Sequence, residues 1–204
     1  MAKIKFTKGA LKKQRESLKQ FTHYLPVLQL KKQQLQLEIH QIHEKLKLKL
    51  QEIYSIENEI NEWAALLKEP GDYVSKWIRH KRIRIGELNI AGIDIPTFEG
   101  EDFDEPDYDL FLTPLWVDSA VEKIRQLVAL LEEEKIFKEQ LKILGHELRI
   151  TAQRVNLFEK IKIPEAMENI RLIRIYLGDQ QTNAVGRSKI AKNKSEKLEE
   201  ALQY

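Results

Sequence analysis

The feature that most constrains this chain is a heptad repeat of apolar residues that begins at Leu11. One row, with Lys32 as its only polar member, and a second row three residues later both persist to about residue 67. Two narrow apolar rows of this length indicate a coiled-coil seam, because a globular helix carries a wider apolar face. Pro26 lacks a backbone N–H and predicts a kink. The seam residues predicted here include Leu18, Ile39, Leu46, Ile53 and Ile60.

A second apolar repeat runs through the C-terminal part of the chain at steps of three and four residues. Pro164 suits either the first turn of a helix or a kink within one, and Gly178 and Gly186 weaken the helix further on. The predicted seam residues before the proline include Leu141, Leu148, Val155 and Phe158. Those predicted after it are Met167, Ile170, Ile173 and Leu177.

The two periodic arms, residues 11–68 and 117–177, are nearly equal in length. An antiparallel arrangement is therefore predicted, with both termini at one end. The expected fold class is mainly α: a long antiparallel two-helix coiled coil with a small β-hairpin inserted between the helices. The predicted organisation is a first long helix (1–68), an insert with a β-hairpin and an acidic loop (69–116), and a second long helix with a basic tail (117–204).

The insert carries the signals of a β-hairpin. Ile83 and Ile85 alternate with arginines, which is typical of a half-exposed strand. Gly92 is free to adopt positive φ at a turn, and Pro96 confines the second strand to an edge or an end. An acidic loop is predicted over residues 99–109. We expect the helical seam to be complete without this hairpin.

Composition and motifs exclude several classes of function. The chain has 34 basic and 32 acidic residues, a net charge of +2 and no cysteine, so disulfides and thiolate sites are excluded. No apolar run approaches the length of a membrane span, and the N-terminus lacks a signal core, which predicts a cytoplasmic protein without direct membrane insertion. No phosphate-binding loop is present. We therefore expect no enzyme activity and no cofactor.

The remaining polar clusters give weak signals. His40 and His43 could share a helix face, but the heptad places them outside the seam, where solvated histidines are expected rather than a metal site. A basic patch that could contact nucleic acid comprises Lys76, Arg79, Lys81, Arg82 and Arg84. The solvated side of a strand, partly neutralised by the acidic loop, is the preferred interpretation, so no nucleic-acid partner is predicted.

The basic ends of the chain are more informative. The antiparallel topology predicts that N-terminal lysines lie beside a C-terminal group that includes Arg187, Lys189 and Lys192. Self-repulsion at such an end favours an anionic receptor. The alternative is two solvated basic tails.

Three short motifs stand out in the sequence. They are residues 6–13 (Phe-Thr-Lys-Gly-Ala-Leu-Lys-Lys), residues 89–96 (Asn-Ile-Ala-Gly-Ile-Asp-Ile-Pro) and residues 151–159 (Thr-Ala-Gln-Arg-Val-Asn-Leu-Phe-Glu) followed by Ile163-Pro164. These motifs resemble those of the central-shaft family, the D subunits of V-type and archaeal-type rotary ATPases. The motif residues singled out are Thr151, Arg154, Val155, Asn156, Glu159 and Pro164. The order of the motifs and the two-helix architecture both agree with that family.

The resemblance implies a central rotor shaft that performs no chemistry and is peripheral to the membrane through its complex. It implies contact with a ring of catalytic and regulatory nucleotide-binding subunits, with the small F subunit on the shaft and with a membrane-side socket protein. It also implies coupling of ATP turnover to proton or sodium translocation. The candidate ring contacts are Lys5, Thr7, Lys8, Leu11, Lys12, Arg187, Lys189 and Lys192.

Two other interpretations stay open at this level. A prefoldin-like chaperone also joins coiled-coil helices through β-hairpins, although the long arms and the motif at residues 151–159 argue against it. A self-associating coiled-coil scaffold would need neither the hairpin insert nor arms of matched length.

Overall fold

The computed structural model describes residues 5–63, 78, 80–103, 114 and 116–202, apart from the side chains of residues 80, 81 and 198–202. Helix α1 spans Lys8–Trp63, strands β1 and β2 span His80–Ile90 and Ile93–Phe103, and helix α2 spans Trp116–Leu157. A π-helical turn spans Phe158–Lys162, and helix α3 spans Ile163–Leu202. The predicted fold class, mainly α with a small antiparallel hairpin, is confirmed. The expectations for residues 64–68, Lys76, Arg79 and residues 104–109 lie outside the described residues.

Helix α1 follows the heptad repeat closely. Every described position of its two apolar rows is buried or half-buried, and the most buried members are Leu35, Ile42 and Ile53. His40 and His43 are exposed, as expected for positions outside the seam. The helix continues through Pro26, so the missing N–H does not interrupt it.

The described chain divides into two compact units. The hairpin unit comprises residues 31–151, and the terminal unit comprises residues 1–30 with 152–204. In the hairpin unit α1 and α2 are antiparallel, because salt bridges of 3.3 Å join Lys31 to Glu147 and Lys49 to Glu133. Its core cluster contains Leu35, Ile42, Ile95 and Leu144.

The turn of the β-hairpin lies where the sequence predicts it. Ala91 and Gly92 have φ values of 52° and 78°, as a type I′ turn requires at both central positions. The Gly92 N–H donates to Asn89 Oδ1 at 3.1 Å, and Asn89 Nδ2 donates to Asp94 Oδ1 at 2.6 Å. These local hydrogen bonds explain why Asn89 precedes the turn.

The strands differ from expectation in two places. A register shift between Arg84 and Ile85 interrupts the alternation of faces. Ile83 is half-buried but Ile85 is 56% exposed, so only Ile83 lies on the packed side of the half-exposed strand predicted for this segment. Residues 99–103 belong to β2 rather than to an acidic loop, since the ladder continues to Phe103.

The hairpin packs against the helices through its tip. Ile95 is 2% exposed and belongs to the same core cluster as Leu35, Ile42 and Leu144. Gln140 is 5% exposed, and its Nε2 donates to the carbonyl oxygen of Pro96 at 2.5 Å. The expectation of a helical core that is complete without the hairpin is therefore wrong.

In the terminal unit α1 and α3 are also antiparallel. The Phe6 and Tyr176 rings have their centroids 5.0 Å apart, and those of Phe21 and Phe158 are 5.2 Å apart. Residue numbers rise on one partner as they fall on the other, as in the hairpin unit. These aromatic pairs show which residues of the two helices are level with each other.

The π-helical turn explains why one of the predicted seam residues after Pro164 is exposed. The Ile163 N–H donates to the carbonyl of Phe158, five residues earlier. Pro164 has no N–H to donate, and the wider turn before it accommodates this loss. The extra residue shifts the apolar stripe, so that Ala166 and Ile170 are buried whereas Met167 is 56% exposed. The prediction of Met167 as a seam residue is wrong.

Candidate interaction surfaces

The N-terminus of α1 combines a capped helix with exposed cations. The Ala10 N–H donates to Thr7 Oγ1 at 3.2 Å, and the Leu11 N–H donates to the Thr7 carbonyl oxygen at 3.0 Å. Thr7 therefore supplies the N-cap. Leu11 is half-buried in the seam, whereas the candidate contacts Lys5, Lys8 and Lys12 are exposed.

The C-terminal part of α3 extends beyond the level at which α1 begins. Phe6 lies against Tyr176, and α3 then continues to Leu202 through Gly178 and Gly186. The glycines therefore do not break the helix. Arg187 and Lys192 lie about 17 and 24 Å further along at 1.5 Å per residue. The expectation that this basic group lies beside the N-terminal lysines is wrong for the described residues, because Arg187, Lys189 and Lys192 follow Tyr176, the level at which α1 begins, by more than ten residues of continuous helix.

This extension, residues 178–197, is exposed at every side chain. A helix with no packed face is marginal in water, and each internal glycine costs about 1 kcal/mol relative to alanine. The Lys192–Glu196 ion pair at 3.6 Å returns only a few tenths of a kcal/mol. Val185 and Ile190 are 57% and 59% exposed. A surface of this kind gains stability when a partner covers it.

A second charged surface lies between α1 and α3, and its α3 residues precede the extension in the sequence. This basic groove has an open volume of about 830 Å³ and is lined by Arg15, Leu18, Lys19, Thr22, His23, Met167, Ile170 and Arg174. No carboxylate is among its lining residues. The sequence patterns do not connect Arg15 and Lys19 to Arg174. The available signal was the spacing of Arg15, Lys19 and His23 at four-residue steps on one helix face.

Several cations close to the groove are paired. Arg171 contacts both carboxylate oxygens of Glu168 at 2.7 and 2.8 Å. This hydrogen bonding lowers the pKa of Glu168 and raises the pKa of Arg171. Lys12 lies 3.9 Å from Glu16, and Lys162 lies 3.6 Å from Glu165. Arg15, Lys19 and Arg174 have no ion pair within the part of the chain that the structure describes.

The motif at residues 151–159 is divided between the interior and the surface. Thr151 and Val155 are 0% and 5% exposed, while Arg154, Asn156 and Glu159 are exposed, and so is Pro164. Phe158 is half-buried and pairs with Phe21. The motif thus contributes both to helix packing and to an outward polar face, and the functional role of that face stays a prediction.

Two searches of the described residues gave negative results. Among residues 5–63, 78, 80–103, 114 and 116–202, no group of His, Asp or Glu is arranged to hold a metal ion. Within the same ranges, no helix combines the length and the hydropathy of a bilayer crossing. Fold and surfaces together define a class of antiparallel helical proteins with a docked β-hairpin and a basic, unpacked helix end.

Comparisons with known proteins identify the family within this class. The family of ATP synthase D subunits matches residues 10–193. The D subunit of the V-type ATP synthase of Borreliella burgdorferi is 48% identical over 193 residues, covering 95% of each chain. Those of Chlamydia felis and Chlamydia pneumoniae are 31% and 33% identical, covering 98% and 95% of this chain and 97% and 93% of theirs. The chain belongs to the family of ATP synthase D subunits.

Proposed function

We propose that this protein is the non-catalytic central-stalk component of a V-type ATPase. It transmits rotation between ATP turnover in a ring of nucleotide-binding subunits and proton or sodium translocation across the membrane. The relatives, which are named as D subunits of V-type ATP synthases, support this assignment. The structural observation that carries it is the exposed extension of α3, which needs a partner to cover it.

In this proposal the terminal unit is held by the catalytic and regulatory ring subunits. The ring contacts lie at two levels, because the extension of α3 continues past the start of α1. The first level, at the start of α1, consists of Lys5, Thr7, Lys8, Leu11 and Lys12. The second level, on the extension of α3, consists of Arg187, Lys189 and Lys192. The positive charge at both levels favours anionic ring surfaces.

The physical requirements of a rotor shaft are stiffness and asymmetry. The heptad seam supplies stiffness, since an apolar side chain that is buried or half-buried recurs at steps of three and four residues along α1. The unequal helix ends supply asymmetry, so that successive nucleotide states of the ring push on different faces. The small F subunit binds along the helices, and a membrane-side socket protein binds the hairpin unit. The shaft is then peripheral to the membrane on its cytoplasmic side.

The prefoldin-like chaperone and the self-associating scaffold are the competing functions. A family match over residues 10–193 favours the rotor shaft over both. Native mass spectrometry of the chain, alone and mixed with ring subunits, separates the three. A single copy in a ring complex supports the proposal, whereas binding of unfolded clients or homo-oligomers alone would contradict it.

Deletion of residues 178–204 tests the role of the extension. The truncated chain should bind the ring at least ~10-fold more weakly, a loss of about 1.4 kcal/mol or more. Its thermal midpoint should stay unchanged, because side chains 178–197 are exposed and support no core. Hydrogen exchange supplies a second readout: amides of the extension should exchange quickly in the isolated chain and slowly in the complex. Unchanged ring affinity would contradict the proposed position of the extension.

A further inference from the structure

We propose that a cleft between the β-hairpin and the two helices of the hairpin unit binds a small amine, a molecule with a compact apolar body and one ammonium group. This hairpin cleft has a volume of about 180 Å³, and its lining includes Ile42, Ile95 and Gln140. The inference goes beyond the central-stalk proposal and does not depend on it, because every residue that it invokes belongs to this one chain.

The walls of the hairpin cleft are apolar on both sides. Leu88 and Ile95 are opposite each other in the strand register, so their side chains share one face of the hairpin. Ile42 of α1 and Ile136 of α2, which are 4% and 6% exposed, line the same cleft. Leu88 is nevertheless 49% exposed, although its partner Ile95 is buried. The hairpin and the helices therefore leave apolar surface uncovered between them.

The volume of the cleft suits a molecule of about eight non-hydrogen atoms. An engineered apolar cavity of about 150 Å³ in a protein core is large enough to bind benzene. Pockets that hold drug-sized ligands are larger, at about 300–1,000 Å³. The cleft therefore has room for one small ring with a short substituent, and it is too small for a nucleotide.

Gln140 provides a hydrogen-bond acceptor at the cleft. The residue is 5% exposed, and its Nε2 donates to the carbonyl oxygen of Pro96. Its Oε1 accepts no hydrogen bond from the residues that the structure describes. Polar side-chain atoms in such enclosed positions are normally paired. A ligand that carries a donor would complete the hydrogen bonding of this amide.

The charged residues of the cleft favour a cationic donor. Glu38 and Glu133 are among its lining residues, and Lys45 is the only cation in the described part of the lining. Lys49 contacts Glu133 at 3.3 Å but also contacts Glu52 at 3.0 Å, so it neutralises Glu133 only in part. Glu38 has no ion pair with any residue that the structure describes.

An ammonium group answers both features, because it donates hydrogen bonds and accepts none. It would pair with the Gln140 oxygen while the Glu38 carboxylate attracts its charge. A ligand with a carboxylate would be repelled by Glu38 and Glu133, and it would leave the Gln140 oxygen without a donor. A neutral hydrocarbon would fill the cleft but satisfy neither feature.

Methyl NMR of the full chain, labelled at its isoleucines, tests the site and its selectivity. Benzylamine is the probe, and benzyl alcohol and benzoate are the neutral and anionic controls. Benzylamine should bind with a Kd of about 1 mM or tighter, as a ligand of about eight non-hydrogen atoms allows. The signal of Ile85, which is not a lining residue, should stay unchanged. The signals that should shift are those of Ile42, Ile90, Ile95 and Ile136.

The two control ligands decide the chemical class. Benzoate should leave the cleft signals unchanged at the concentration at which benzylamine saturates them. Benzyl alcohol or benzoate binding as tightly as benzylamine would overturn the assignment of an amine. No shift of the cleft signals with any of the three probes would overturn the site itself and leave the central-stalk proposal intact.

Two pairs of variants confirm the location. Leu88→Phe should weaken benzylamine binding by at least ~10-fold, because the added carbon atoms occupy the space of the ligand. Ile85→Phe enlarges an exposed side chain of the same strand outside the lining and should leave the affinity unchanged. Equal affinities in these two variants would overturn the location. Circular dichroism checks that both variants keep their helices.

The second pair changes exposed carboxylates of α1 and leaves the core untouched. Glu38→Gln should weaken benzylamine binding by about 3-fold at low salt, as expected for an exposed charge pair. The effect should shrink in 1 M salt, where the Debye length is about 3 Å. Glu44→Gln, an exposed position of the same helix outside the lining, should have no effect. Equal affinities in these two variants at low salt would overturn the role of Glu38 in selecting a cation.

Discussion

The docking of the β-hairpin yields the most quantitative prediction, because two isoleucines of the same hairpin differ sharply in burial. Ile95 is 2% exposed in the core of the hairpin unit, and Ile85 is 56% exposed. The variants Ile95→Ala and Ile85→Ala remove the same atoms from the same element. Any difference between them therefore reports on packing against the helices.

The magnitude follows from the structure. Ile→Ala removes three carbon atoms, each contributing about 0.8 kcal/mol when buried, and a core site adds a cavity cost that brings such substitutions to about 2–5 kcal/mol. We expect Ile95→Ala to lower the free energy of unfolding of the hairpin unit by about 3 kcal/mol. Ile85→Ala should change it by about 0.5 kcal/mol.

Tryptophan fluorescence during urea unfolding measures this loss selectively. The chain has three tryptophans, and the two that the structure describes, Trp63 and Trp116, belong to the hairpin unit, so their emission follows the unfolding of that unit. With an m-value of about 2 kcal/mol/M, Ile95→Ala should lower the urea midpoint by roughly 1.5 M. Equal midpoints for the two alanine variants would refute the inclusion of the hairpin in the core, and would restore the expectation of a helical seam that is complete without it.

Two further predictions concern the seam and the absence of chemistry. Ile53→Asp places an unpaired charge at a site that is 4% exposed and should lower the free energy of unfolding by about 3–5 kcal/mol. His43→Ala lies on the exposed face and should lower it by about 0.5 kcal/mol or less. Equal losses of stability in the two variants, measured by tryptophan fluorescence, would contradict the heptad register. Titration of the isolated chain with ATP should give no binding heat in calorimetry, because no phosphate-binding loop is present, and stoichiometric binding would refute this.

Helix faces and turns were predictable because their signals are local. The heptad repeat identifies the buried face of α1 without knowledge of the partner, since every turn repeats the same apolar spacing. The φ values at Ala91 and Gly92 likewise depend on the chemistry of a few neighbouring residues. The long second helix was predictable in the same way up to the π-helical turn, where one extra residue changes which side chains face inward.

The docking of the hairpin and the basic groove could not be predicted from periodicity. Alternation shows which residues share one side of a strand, but it does not show what that side packs against. Ile95 and Gln140 are far apart in sequence, and only the tertiary structure places the Gln140 amide on the carbonyl of Pro96. Arg15 and Arg174 lie on different helices, so their shared groove depends on how those helices pair.

Periodicity also could not predict which residues of α1 and α3 are level with each other. A heptad seam can shift by one repeat and still bury apolar rows, so arms of equal length do not determine which residues are level. Specific side-chain contacts decide this, and here the Phe21–Phe158 and Phe6–Tyr176 ring pairs show the alignment that the helices adopt. Within the part of the chain that the structure describes, that alignment leaves the basic end of α3 without a partner helix, because α1 begins near the level of Tyr176 and residues 178–197 extend beyond it.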